Sequence, residues 1–118
     1  LYDRMRVFLE NYDVLACAVV GLEPGPVEEE YPSHVAGKPV ADYIDWLRFS
    51  FLATTTALPA LSLPAGFTRS GMPAGIQLIG PPRGEAKLLA VARAIEDAVG
   101  FRGRTPIDPK VKVARRSG

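Results

Sequence analysis

Cys17 and His34 are the one thiol and the one imidazole in the chain. They are weighed first because a thiolate beside an imidazole base can attack a carboxylic acid derivative. Cys17 stands inside the apolar run VLACAVV, residues 14–20, where a thiol behaves as a small apolar group, and His34 falls in a polar loop. A catalytic Cys–His pair is therefore not expected. Nor can one thiol and one imidazole make an ordinary structural zinc centre, which takes four such ligands. Glu28, Glu29 and Glu30 put three carboxylates side by side. A metal would need further oxygen ligands converging on them, so the preferred reading is a solvated acidic turn. The serines Ser33, Ser50, Ser62, Ser70 and Ser117 are isolated, and neither a phosphate loop nor a dinucleotide fingerprint is present. Gln77 interrupts an apolar strand-length run. A buried amide needs partners, so it either fixes sheet geometry through neighbouring groups or faces a polar substrate pocket; the structural role is preferred.

These residues depend on a small set of elements. The centre is ALSLPAGFTRSGMPAGIQLIG, residues 60–80, with apolar runs 60–67 and 73–79 flanking a polar turn at Arg69, Ser70 and Gly71. Alternation at Leu61 and Leu63, and at Ile76 and Leu78, predicts two strands in a hairpin. Pro59, Pro64 and Pro73 stand at run ends, where a missing N–H costs little. Residues 14–20 form an uninterrupted apolar run, as expected of a strand covered on both faces in a mixed or parallel sheet. Before it, Leu1, Met5, Phe8 and Tyr12 recur at helical spacing, with Asn11 and Asp13 closing the helix.

Residues 21–38 read as a loop from their Gly, Pro and charge content. Pro39 suits a helix's first turn, with Asp42 and Asp45 near its positive end. Ile44, Leu47, Phe51 and Leu58, continued by Thr54 and Thr55, predict one amphipathic helix packed on the sheet. Trp46 and Phe49 flank that stripe; core packing is the commoner use of such aromatics, and lining a substrate passage is the other. Residues 85–99 are the clearest helix, with Leu88, Ala92, Ile95 and Val99 as its buried stripe and Gly100 as its stop.

At 118 residues the chain has the size of one domain. With hydrophobic residues at 47% and charged residues at 23%, it has a globular composition. Apolar runs fall short of the roughly 20 residues that cross a membrane, and the first residues, LYDRMR, do not resemble a signal peptide. A lone cysteine forms no internal disulfide, and its setting fits a reducing, cytoplasmic compartment. Six of the 14 basic residues lie at Arg102, Arg104, Lys110, Lys112, Arg115 and Arg116. Ahead of them eight basic residues face twelve acidic ones, so the body is not a nucleic-acid surface. The expected division is a body, 1–101, and a basic Pro- and Gly-containing tail, 102–118, read as a solvated extension. The chain opens within a helix with neither an N-cap nor an initiator Met, which suggests a piece of something longer.

LPALSLPAGFTRSGMPAGIQLIGPPRGEAKLLAVARAIEDA, residues 58–98, closely resembles the C-terminal stretch of the amidase signature family. Members there carry a proline-alanine strand, a PAGF corner, a short turn, a GlPvGlQliG-like strand and a helix with LL and an acidic residue. YIDWLRFSFLATTTALPA, residues 43–60, resembles the helix ahead of that hairpin in many bacterial members, and the likeness extends over residues 1–106. Departures occur at ACAVV, where relatives often carry an LLTPT-like strand, and at Thr54 and Ala57, where an NLTG-like motif places Asn and Gly.

The resemblance implies an α/β fold, a mixed sheet flanked by helices, as the C-terminal part of the amidase signature fold. It also implies a serine nucleophile, a second bridging serine in a cis peptide and a lysine base, all upstream of the matched region. None of the chain's serines has a GSS-like context, and none of Lys38, Lys87, Lys110 or Lys112 matches the family lysine. No catalytic residue, substrate-binding residue, cofactor or metal ligand is therefore assigned to this chain. The turn 81–84 is another place where relatives approach the substrate channel.

The expectation is a fragment lacking the catalytic residues and inactive alone, which supplies scaffold and pocket wall to an amidase that hydrolyses carboxylic amides through an acyl-serine intermediate. Its expected partners are the upstream part of the same amidase, a small-molecule amide and a second copy in a homo-oligomer, without nucleic acid or membrane. The alternative is a stand-alone, non-catalytic α/β module that binds through an exposed apolar patch.

Overall fold

The computed structural model of the protein describes residues 1–47 and 50–100. Phe49 and the basic tail, 102–118, lie outside the described residues.

The hairpin forms where alternation predicts it: β4 (Ala60–Phe67) pairs antiparallel with β5 (Pro73–Ile79). The register sets Ala60 against Ile79, Leu61 against Leu78 and Ser62 against Gln77, with an irregularity between Pro64 and Gly66. On the other side of β5 lies β1 (Leu15–Ala18), also antiparallel, with Leu15 opposite Ile79 and Cys17 opposite Gln77. The order is β1-β5-β4. The α/β class holds, but every ladder among the described residues is antiparallel rather than mixed. Strand β1 is correspondingly not covered on both faces: Ala16 and Ala18 are exposed, while Leu15 and Cys17 are half-buried. It is an edge strand, and only one of its faces meets the helices.

Strand period divides the core into two layers. Leu61, Leu63, Ile76 and Leu78 share one face and meet Leu88 and Ala92 of α4 (Glu85–Val99), with Val91 and Ile95 alongside. Ile79, Leu15 and Cys17 share the opposite face and pack with Leu9, Ala53 and Leu58. Of the expected α4 stripe, Leu88 and Ala92 are buried, whereas Val99 is 43% exposed. Gly100 stops the helix at φ 70°, a left-handed backbone, with its N–H donating to the Glu96 carbonyl.

The first helix, α1 (Tyr2–Phe8), is shorter than its periodicity suggests. Leu9 is the buried residue and Met5 packs with it, while Phe8 and Tyr12 stack on each other at a 4.6 Å centroid separation and stay exposed. Mutual stacking satisfies those two rings without the sheet.

The stretch expected to be one helix from Pro39 is two. Pro39 instead pairs in β3 (Lys38–Pro39) against β2 (His34–Val35), with Ala36 and Gly37 at φ 50° and 75° making the tight turn. Next, α2 (Tyr43–Trp46) is capped by Asp42, whose Oδ1 accepts from the Ile44 and Asp45 N–H groups at 2.9 and 3.0 Å. After a turn closed by Ser50 N–H to Leu47 O comes α3 (Phe51–Thr56). The division resets the helical phase. Ile44, Thr54 and Thr55 are exposed, and Ala53, Thr56 and Leu58 are the buried residues. Thr56 is fully buried because its hydroxyl donates back to Leu52 and Ala53 carbonyls at 2.7 and 3.1 Å. Ala57 closes α3 at φ 50°, the position where the NLTG-like motif carries glycine. That left-handed backbone crowds a Cβ, at a cost of about 1 kcal/mol.

Candidate functional site

Beyond the Cys17–Gln77–Ser62 row, the sheet face shared with α1 and α3 opens into a cavity of about 690 Å³. Its floor includes Val19 and Gly75. A Cβ on Gly75 would lie 3.2 Å from Val19 Cγ2, so glycine keeps this floor low. The outer wall is the segment that leaves β1, residues 19–26, followed by residues 29–32. Trp46 closes one side, and Thr68, Pro73 and Ala74 of the hairpin tip close another. A cavity of this size suits a small molecule.

Two polar ties hold this wall in place. Ser50 Oγ donates to the Val19 carbonyl at 2.9 Å, anchoring the end of β1 to the turn before α3. At the tip, Ser70 Oγ donates to Glu23 Oε2 at 2.6 Å, and the Thr68 and Ser70 hydroxyls lie 2.7 Å apart. Hydrogen bonds from Ser70 and Thr68 hold the Glu23 carboxyl below its ordinary pKa, because they favour the charged acceptor. Thr68 also pairs its N–H with the Met72 carbonyl, so the latch grips a structured turn.

The rings of Tyr31 and Trp46 line the cavity, and Tyr43 packs against both. Tyr43 meets Trp46 edge-on at 6.1 Å and Tyr31 at 6.3 Å. The indole Nε1–H of Trp46 is buried without a hydrogen-bond partner among the described residues.

The residues weighed for chemistry are not brought together. Cys17 Sγ lies 3.4 Å from Gln77 Nε2 on the paired strands, whereas His34 is exposed with Nδ1 3.2 Å from Ser33 Oγ. Among the described residues no hydrogen bond joins Cys17 to His34, and no three His, Cys, Asp or Glu residues cluster to hold a metal ion. Gln77 does not line the cavity, and neither does the turn 81–84. In that turn the Gly84 N–H donates to the Pro81 carbonyl at 2.9 Å, and a Cβ on Gly84 would fall 2.6 Å from Pro81 Cγ. Glu29 and Glu30 are exposed as expected, yet both line the cavity. Trp46 is half-buried and lines the cavity.

Sequence reasoning missed residues 19–26 as a wall. The signal available was a Gly- and Pro-rich segment leaving a strand, a usual place for functional loops. No helix of the described residues is long and apolar enough to cross a membrane.

A family model described as Amidase matches residues 1–89. A glutamyl-tRNA(Gln) amidotransferase subunit of Chlorobium phaeobacteroides is 44% identical over 94 residues, covering 77% of this chain and 19% of that protein. An acylamidase of Rhodococcus erythropolis is 30% identical over 112 residues, covering 94% of this chain and 23% of its own length. Among solved structures, a bacterial aryl acylamidase of the amidase signature enzymes superposes with a TM-score of 0.73 at 26% identity, covering 82% of this chain and 20% of that one. The chain thus spans about a fifth of the length of these relatives.

Proposed function

The chain belongs to the amidase family, and from that premise we propose that it is the C-terminal segment of an amide hydrolase, contributing scaffold and one wall of the substrate pocket. One observation carries the proposal: the segment superposes on a fifth of an aryl acylamidase while containing no Gly-Ser-Ser element of its own. In this reading a serine supplied by the upstream part attacks the amide carbonyl, and the tetrahedral adduct collapses with cleavage of the C–N bond, so the protonated amine leaves as the acyl-serine forms. Water then attacks the acyl-serine and releases the acid, restoring the serine. The present residues act by binding and orientation. Val19, Gly75 and Trp46 exclude water from one side of the substrate, and the Ser50 and Glu23 ties keep the wall in register.

The bare surfaces support docking onto an upstream part. Strand β4 pairs with β5 alone among the described residues, so its eight-residue outer edge is open. Phe67 and Leu89 are each 63% exposed and Val27 94%. The same patches favour a second reading, a stand-alone module that self-associates through them. A reducing, cytoplasmic setting and oligomeric assembly belong to the proposal for the intact enzyme.

The test compares the chain alone with a chimera in which it replaces the equivalent segment of the bacterial aryl acylamidase. Hydrolysis of a neutral aryl amide should be undetectable for the first and retained by the second. Stoichiometric turnover by the chain alone, or a folded chimera without activity, defeats the proposal. A concentration-dependent dimer of the chain on size exclusion, with an inactive chimera, selects the module.

A further inference from the structure

The charge pattern of the cavity narrows what it takes, an inference that rests on reading the cavity as a pocket wall. Among the described residues, the charged groups lining it are Glu23, Glu29 and Glu30, and no Lys, Arg or His lines it. The remaining wall is largely apolar and aromatic, with Val19, Pro26, Tyr31 and Trp46. Glu29 and Glu30 are in no ion pair among the described residues. Glu23 is engaged by neutral hydroxyls, which orient its charge without cancelling it.

A carboxylate-bearing ligand would meet three like charges here, and a neutral one would gain burial alone. An ammonium on an apolar body gains both the carboxylates and the faces of the aromatic rings. We propose that the cavity binds an apolar primary ammonium compound, an alkyl- or arylalkylamine, its hydrocarbon part against Val19 and Trp46 and its charged end toward the glutamates. For an amide hydrolase this makes an amine-bearing substrate arm, or the released amine itself, the favoured occupant.

Trp46 is the chain's one tryptophan, so its fluorescence reports on this wall alone. The full 118-residue chain is titrated with benzylammonium, benzyl alcohol and benzoate. The expected order is benzylammonium tightest, by about fivefold over benzyl alcohol, with benzoate weakest. Because the carboxylates are solvent-exposed, the preference should shrink as sodium chloride rises from about 20 mM to about 500 mM.

In the Glu29→Gln/Glu30→Gln double variant, with near-UV circular dichroism confirming an unchanged fold, the cation preference should fall at least about twofold. If that variant does not fold, Glu23→Gln is titrated in its place with the same expectation. Equal binding of benzylammonium and benzyl alcohol overturns the cation proposal and leaves the pocket wall standing. A preference unmoved by these substitutions also overturns it. No response to any of the three compounds removes both the pocket and the cation.

Discussion

The two ends of the hairpin are built on different physics. At the end where β4 begins and β5 finishes, Leu78 and Ile79 are fully buried, one under α4 and the other under α1 and α3. At the tip, Phe67 is exposed and the neighbouring wall is tied down by hydroxyl and carboxylate groups, Ser70, Thr68 and Glu23. Apolar burial is short-ranged, not subject to ionic screening and costly to disturb. A polar latch in water is worth little and can open. The covered end can therefore serve as a rigid base and the tip as an adjustable wall of the proposed pocket.

The strongest blow to this contrast is Leu78→Ala. It removes a fully buried side chain that joins both strand partners to α4, and should cost about 3 kcal/mol in chemical denaturation. A loss below about 1 kcal/mol would mean that the covered end is not the base of the fold. A smaller effect of opposite sign is expected one turn before β4: Ala57→Gly relieves the left-handed backbone and should stabilise by about 1 kcal/mol, read as a higher midpoint with an unchanged denaturant slope.

The least effect on global stability belongs to the tip. Glu23→Gln should leave the unfolding midpoint in place while speeding amide hydrogen exchange in residues 20–32, since only the latch is weakened. The pH dependence has a definite sign. The folded Glu23 carboxyl titrates below its unfolded value, so the latch contributes fully above the ordinary glutamate range and is lost as pH falls through the folded value. Protection factors in residues 20–32, which remove the intrinsic pH dependence of amide exchange, should accordingly fall on acidification in the natural chain and change less in the variant. Equal sensitivity in both would dissolve the distinction between the two ends.

Legibility followed the same division. The hairpin and α4 were readable because alternation at Leu61, Leu63, Ile76 and Leu78, and the stripe through Leu88 and Ala92, are strong periodic signals over long runs. The segment from Pro39 to Leu58 was not. Its spacing permits one helix, and what divides it lies outside any local pattern: Pro39 pairs with His34, and Ser50 reaches a carbonyl 31 residues away. Phe8 and Tyr12 share the helical spacing of Met5, but that spacing does not show that they stack on each other and stay exposed.

Family membership was carried by linear words, LPALSLPAGF and GIQLIG among them, and required no coordinates. The cavity was different. Val19, Glu23, Tyr31, Trp46 and Gly75 have no common spacing, and nothing in their order marks them as neighbours.

Periodicity determined the strands and the long helix, and linear words carried the family, because each depends on residues adjacent in the chain or a turn apart. Tertiary structure alone decided which strand edge stayed bare among the described residues, that Trp46 lines a cavity, and that Glu23 meets Ser70 across 47 residues. Those outcomes come from closing long loops over a shared sheet, a free-energy balance that no local window contains.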